Sequence, residues 1–320
     1  MIKHLAAAML VVPMLAVPAH AQWPERPVRI IAPFAPASTP DTLARVLSER
    51  LSKQLKQTFI VENKAGAGGM IGTDHVAKAA PDGYTLGVSI TGPLVNNKLL
   101  YKKMPYDPDR DLTPITVAVM QPSVIVTRGN LDAANLEQLI AQLKQSPGKF
   151  NYASIGNGSL SHLTMELVAS RSGTNIVHVP YGGSSQAVTA LIAGDVDMAC
   201  LPAAAVQSFV KAGKLRAIAV TTGSRTRFMP DVPTLAEQGM AGIDTGAWMG
   251  IVAPAGMDEA LKRRIHQEVV RALRDPEARK AFDTQMMEVV AGTPAEFSAY
   301  LKEEADRWFP VIRKNKIELD

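Results

Sequence analysis

The chain has 320 residues, of which 47% are hydrophobic and 20% charged, with 23 Gly, 22 Pro and 5% aromatic. These values fit a folded globular chain with room for about two domains, and they exclude a disordered or collagen-like one. The formal charge of +4, from 34 Lys+Arg against 30 Asp+Glu, is small and evenly spread, so no nucleic-acid partner is expected.

Residues 1–21 carry a short basic start at Lys3 and His4, an apolar run from Leu5 to Val17, and a small-x-small ending at Ala19-His20-Ala21. This is the pattern of a secretory signal peptide, too short in its apolar run to span a bilayer comfortably. The mature chain is expected to start at Gln22, and a bacterial-style signal without disulfides points to the periplasm. One cysteine, Cys200, allows no intrachain disulfide and no cysteine-based zinc site, and its apolar neighbours predict a buried thiol.

In chain order, Val28–Ala32 predicts a strand. Thr39 and Pro40 then read as N-cap and first residue of a helix with Leu43, Val46, Leu47, Leu51 and Leu55 on one face. Phe59–Glu62 is a strand, a Gly-rich turn leads to a helix near 70–79, and Tyr84–Ser89 is a strand. Ile115–Thr127 holds one or two more, interrupted by Pro122, and Asn135–Gln145 is a helix.

Three strand–loop–helix units follow. They start at Asn151–Ile155, Asn175–Val179 and Asp197–Leu201, and a strand at Leu215–Thr221 closes the block. A Pro-punctuated stretch, 228–257, precedes two helices. The first is marked by Leu261, Ile265, Val269 and Leu273, the last by Phe297, Tyr300, Leu301, Trp308 and Ile312. Alternating strands and helices predict an α/β architecture with mainly parallel sheets.

In open α/β sheets ligands sit beyond the carboxyl ends of the strands. The loops 33–39, 156–161, 180–186 and 202–205 fall there, and none contains Lys, Arg, Asp or Glu. Several open helices, whose first turns present unpaired N–H groups and a partial positive charge. Such loops suit reversible capture of a small carboxylate without a formal countercharge, although each could also be only a capped helix start. Asp41 could touch a ligand or serve the helix dipole. His162 could donate to a carboxylate or pack near its helix start, and Tyr181 could offer its hydroxyl or lie in the core.

Catalytic signatures are weak. Gly156-Asn157-Gly158-Ser159-Leu160 is not a nucleophile elbow, and Ser159 with His162 is only a remote hydrolase candidate. Gly66-Ala67-Gly68-Gly69-Met70-Ile71-Gly72 lacks the glycine at 71 that a dinucleotide loop would need. No enzyme activity, cofactor or metal site is expected.

Asn63-Lys64-Ala65-Gly66-Ala67-Gly68-Gly69-Met70-Ile71-Gly72, followed by Val76 to Leu86, resembles the signature of the tripartite tricarboxylate transporter receptors, or Bug receptors. So do Trp23–Arg29, Val179–Gly183, Gly194–Asp197, Pro230–Thr234 and Ala253–Gly256. Together they cover essentially all of 22–320.

The resemblance implies a two-lobed, type II periplasmic-binding-protein-like α/β fold with a ligand cleft between lobes. It implies two crossings, placed near 123 and 222, giving one lobe of 22–122 plus 223–320 and another of 123–222. It implies a monomeric periplasmic receptor that captures a small organic carboxylate and passes it to integral membrane permease subunits. A receptor that signals instead of feeding a permease is the alternative.

Carried over by motif, the ligand positions are Phe34, Ala35, Ser38, Thr39 and Asp41 in the first loop, and Thr91 at the rim. In the second lobe they are Gly156, Gly158, Ser159 and His162, then Tyr181, Gly182, Gly183 and Ser184. One departure stands out: Pro36-Ala37-Ser38 replaces the family's usual Pro-Gly-Gly. A left-handed backbone there would be strained, so the loop is expected to follow another path and to alter ligand preference.

Overall fold

The computed structural model describes residues 23–319; the expected signal segment lies outside them. β1 (Val28–Ala32) pairs in parallel with β2 (Phe59–Asn63) on one side and β3 (Thr85–Ser89) on the other. Flanked on both edges, it has Val28, Ile30, Ile31 and Ala32 fully buried. Helix α1 (Thr39–Leu55) lays Leu43, Leu47 and Leu51 on this sheet. Each fully buried leucine contributes about 2 kcal/mol. Its N-cap is Ser38, one residue earlier than the sequence suggested, with the Ser38 hydroxyl accepting from the Asp41 N–H.

α2 (Met70–Ala77) follows β2. After β3 comes a helical segment, a wide turn at Gly92–Asn96 running into α3 (Asn97–Leu100), and then the short α4 (Pro108–Asp111). β4 (Leu112–Gln121) ends the first run of the chain.

Pro122 separates β4 from β5 (Ser123–Arg128), and the chain enters a second sheet. There follow α5 (Leu136–Gln145), β6 (Asn151–Ser154), α6 (Leu160–Ser172), β7 (Val177–Pro180), α7 (Ser184–Ala193), β8 (Met198–Pro202), α8 (Ala203–Lys211) and β9 (Leu215–Val220). The expected loop at 202–205 is absent, because β8 ends at Pro202 and α8 begins at Ala203. The second sheet runs β7-β6-β8-β5-β9.

The stretch 228–257 conceals a strand. β10 (Ala247–Pro254) lies between β4 and β3, antiparallel to both. α9 (Glu259–Leu273), α10 (Pro276–Thr284), β11 (Glu288–Val289) and α11 (Pro294–Lys314) complete the described chain. α10 is a helix the sequence reading did not separate. The first sheet runs β11-β4-β10-β3-β1-β2. Both sheets are mixed, not mainly parallel: β10, β11 and β5 all pair antiparallel with their neighbours.

Two packing facts depart from the sequence division. Leu235, Met240 and Ile243 lie in the core of the second body, and Gln238 joins Leu136 N–H to the Ile218 carbonyl. The segment 228–243 therefore packs on the second sheet, although the division grouped it with the first lobe. The last helix does more than dock on the first sheet. Phe297, Tyr300 and Leu301 pack there, while Trp308, Val311 and Ile312 enter the core of the second body. Cys200 is 1% exposed, a buried thiol on β8. Among the described residues no helix is long and apolar enough to cross a membrane.

Candidate functional site

The carboxyl end of β1 opens into the loop 33–38. Ala35, Pro36 and Ala37 are exposed and Phe34 is half-buried. Ala37 has φ 65°, a left-handed conformation that costs a residue with a Cβ about 1–2 kcal/mol. The turn thus keeps a glycine-like conformation at 37 despite the alanine, instead of avoiding it; Ser38 is extended at φ −71°.

What holds the turn is Asp41, which is 2% exposed. Its Oδ2 accepts from the Ala37 N–H at 2.8 Å and from Arg45 Nε at 2.9 Å, and its Oδ1 from Asn63 Nδ2 at 2.8 Å. Asn63 also donates to the Phe34 carbonyl at 3.0 Å. Burial pushes the Asp41 carboxyl up, but hydrogen bonds from Arg45, Asn63 and Ala37, with the Arg45 charge, pull it lower than its ordinary 3.8. Asp41 is therefore engaged as a clamp on its own loop. The Ala37 and Ser38 amides are engaged too, the latter with the Ala35 carbonyl at 3.2 Å. Sequence reasoning missed Asn63, although it stands at the head of the Gly-rich motif and pairs in register with Ala32, next to the loop.

The matching loop of the second sheet follows β6. Gly156 and Gly158 have φ 122° and 70°. A Cβ on Gly158 would stand 2.8 Å from a Leu100 methyl and 3.0 Å from a Leu319 methyl, but it is the left-handed backbone that calls for glycine here. Ser159 caps α6. Its hydroxyl donates to the Gly156 carbonyl at 2.6 Å and accepts from the His162 N–H at 3.3 Å.

His162 is 6% exposed, and its Nδ1 accepts from the Gly158 N–H at 3.1 Å. The ring proton therefore sits on Nε2. The ring stacks on His178, with centroids 3.8 Å apart, and Tyr152 continues the stack. Burial first, and then the nearby His178, push the His162 pKa down to about 4, so the imidazole is neutral at physiological pH. Serine and imidazole do not form the hydroxyl-to-ring hydrogen bond of a nucleophile and its base. Both are occupied in shaping the loop. A polar cavity of about 320 Å³ lies beside His162, with Asn157, Glu166 and Lys316 in its lining.

After β7, Tyr181 and Ser184 are half-buried and Gly182 is exposed. The Tyr181 ring leans on the apolar core beneath, and Gln186 Oε1 accepts from the Gly182 N–H at 2.9 Å. Gly183 precedes the first turn of α7 in open space, where an added Cβ would meet nothing within 4 Å.

The segment 92–100 forms a wall between the loops of the two sheets. Pro93 and Phe34 both close on Gly69, where an added Cβ would stand 2.7 and 2.9 Å from them. Seven residues on, Leu100 abuts Gly158. The structure therefore brings the β1 and β6 loops to opposite ends of one short helical wall. Thr91, expected at the rim, is instead 5% exposed, its hydroxyl donating to Glu304 Oε2 at 3.3 Å.

A larger cavity of about 700 Å³ lies away from these loops. Val117, His266, Arg274, Val290 and Phe297 line it, and none of the expected site residues does. Among the described residues no group of three or more His, Cys, Asp or Glu side chains is placed to hold a metal ion.

Two α/β bodies with uncharged, donor-rich loops at their strand ends define a two-lobed solute-binding protein. The chain belongs to the tripartite tricarboxylate transporter family receptors (TctC), whose model it matches over residues 43–317. It is 37% identical over 300 residues to Protein BugT of Bordetella pertussis, covering 93% of this chain and 91% of that one. Among solved structures it is similar to R. palustris Rpa4515 with adipate, at TM-score 0.80 and 31% identity, covering 93% of this chain and 100% of the other. It is also similar to MatC from Rhodopseudomonas palustris with bound malate, at TM-score 0.76 and 31% identity, covering 91% of this chain and 100% of the other.

Proposed function

We propose that the mature chain is a periplasmic receptor that captures a small organic carboxylate and delivers it to the integral membrane permease subunits of a tripartite tricarboxylate-type transporter. The observation that carries this reading is the meeting of uncharged loops from both sheets on the 92–100 wall, each loop opening a helix. An acid held there gains hydrogen bonds from neutral donors, and no fixed cation need be stripped of water to receive it. From these loops the Ala35, Asn157 and Gly183 amides and the Ser38, Thr39, Tyr181 and Ser184 hydroxyls are offered to the acid, and His162 offers its Nε2–H, while the Ala37, Ser38, Gly158 and Gly182 amides and the Ser159 hydroxyl hold the loops in shape. Asp41 and Thr91 act behind them, as holders of the loop and of the wall. The adipate of one similar structure and the malate of another support a dicarboxylate as the ligand class.

A thermal-shift screen of the mature protein against aliphatic and aromatic acids, sugars and amines tests the reading. An acid at 100 times its dissociation constant should add about 2.7 kcal/mol of stability. Stabilisation by sugars or amines alone would overturn the assignment.

A further inference from the structure

A buried acid sits in α11 at the point where the helix changes partners. Before it, Phe297 is fully buried and lies so close to the first sheet that a Cβ on Gly250 would come within 2.3 Å of its ring. After it, Trp308 is fully buried in the core of the second body, the cluster that also holds Tyr152 and Met198. Glu304, at 1% exposure, stands between them.

Its Oε2 accepts from Trp248 Nε1 at 2.8 Å, Trp308 Nε1 at 3.1 Å and the Thr91 hydroxyl at 3.3 Å, and Arg307 pairs with its Oε1. A carboxylate is tolerated at such depth only when paired and fully hydrogen-bonded. Fastening a helix to an apolar sheet does not require one, since a leucine would serve. The three neutral donors come from three different parts of the molecule. Trp248 belongs to β10 of the first sheet, Thr91 begins the site wall, and Trp308 is anchored in the second body. The far end of the same wall is held as well, because Leu319 N–H donates to the Leu100 carbonyl at 2.7 Å.

We propose that Glu304 is a positioning residue that sets the angle between the two bodies, with α11 as a connection between them additional to the segments at 121–123 and 221–246. Through Thr91 the same carboxylate fixes the wall on which the two loops meet. The consequence for capture rests on the receptor reading; the angle itself does not, so it is measured without ligand.

Spin labels at Lys53→Cys on α1 and Lys211→Cys on α8 report the distance between the bodies by double electron–electron resonance. Cys200, being buried, stays unlabelled. The native side chain at 304 should give one narrow distribution. Glu304→Gln keeps the size but replaces one acceptor oxygen with an NH2 and removes the charge that pairs with Arg307, and should shift or broaden the distribution. Trp308→Phe removes the N–H by which the next turn of α11, whose ring is packed in the second body, holds Glu304, and should do the same. If Glu304→Gln does not fold, Trp308→Phe decides. Native distributions in the folded variants, with only a lowered melting temperature, would overturn the proposal and reduce Glu304 to a packing residue.

Discussion

Asp41 and His162 each lose their contribution to stability in acid, but for opposite reasons. The Asp41 carboxyl is held lower than 3.8 in the folded chain, so its contribution is complete above that value and is lost as the pH drops through the folded pKa. Asp41→Asn should cost about 2 kcal/mol at neutral pH, the scale of hydrogen bonds to a charged group. Urea titrations at pH 7 and pH 3 should show the gap between the two proteins narrowing at the acid end; a constant gap would mean that the charge contributes nothing. His162 is buried neutral, with its pKa depressed from 6.5 to about 4. The unfolded chain therefore takes up a proton that the folded chain refuses. Stability should fall by about 3 kcal/mol as the pH drops from 6.5 to 4, because each tenfold loss of proton affinity on folding is worth about 1.4 kcal/mol. His162→Asn should flatten that part of the stability profile and leave the smaller slopes due to His178 and His75, whose pKa values burial also lowers. An unchanged slope in the variant would assign it elsewhere.

At the scale of elements, β10 and α11 depend on one close approach. Gly250 lets the Phe297 ring lie directly on the strand, and Gly250→Ala would force the two apart. Overpacking of this kind costs about 1–3 kcal/mol; a melting temperature equal to the parent's would show that α11 shifts freely. β10 also shows where sequence reading stops. It is buried on both faces, so Trp248, Met249, Ile251 and Val252 form a continuous apolar run without the alternation of a half-exposed strand. Pro254 and the prolines upstream made that run read as a linker. By contrast β1 and α1 were legible, because a short apolar run ends in a capped, periodic helix. The candidate loops were legible, because their lack of charge is a property of contiguous residues. Their supports were not. Thr91 meets Glu304 across 213 residues, and Asp41 meets Asn63 across 22. Such pairings are set by sheet order, and no local period encodes them.

For the whole molecule, the proposed site draws on both bodies. The β1 loop alone offers a strained turn with two of its amides already engaged. The β6 and β7 loops alone offer two capped or glycine-led helix starts. What joins the first two is the 92–100 wall, held at one end by Thr91 and Glu304 and at the other by the C-terminal tail. A ligand bridging the loops would favour closure, since only the closed arrangement gives it donors from both sides. The most direct test is an amide chemical-shift titration of the mature protein with adipate and malate in turn. The account predicts that for at least one acid the Phe34–Thr39, Gly156–Ser159 and Tyr181–Ser184 amides move together along one saturation curve. Absence of movement with both acids, or movement confined to the Val290–Phe297 cavity, would contradict it.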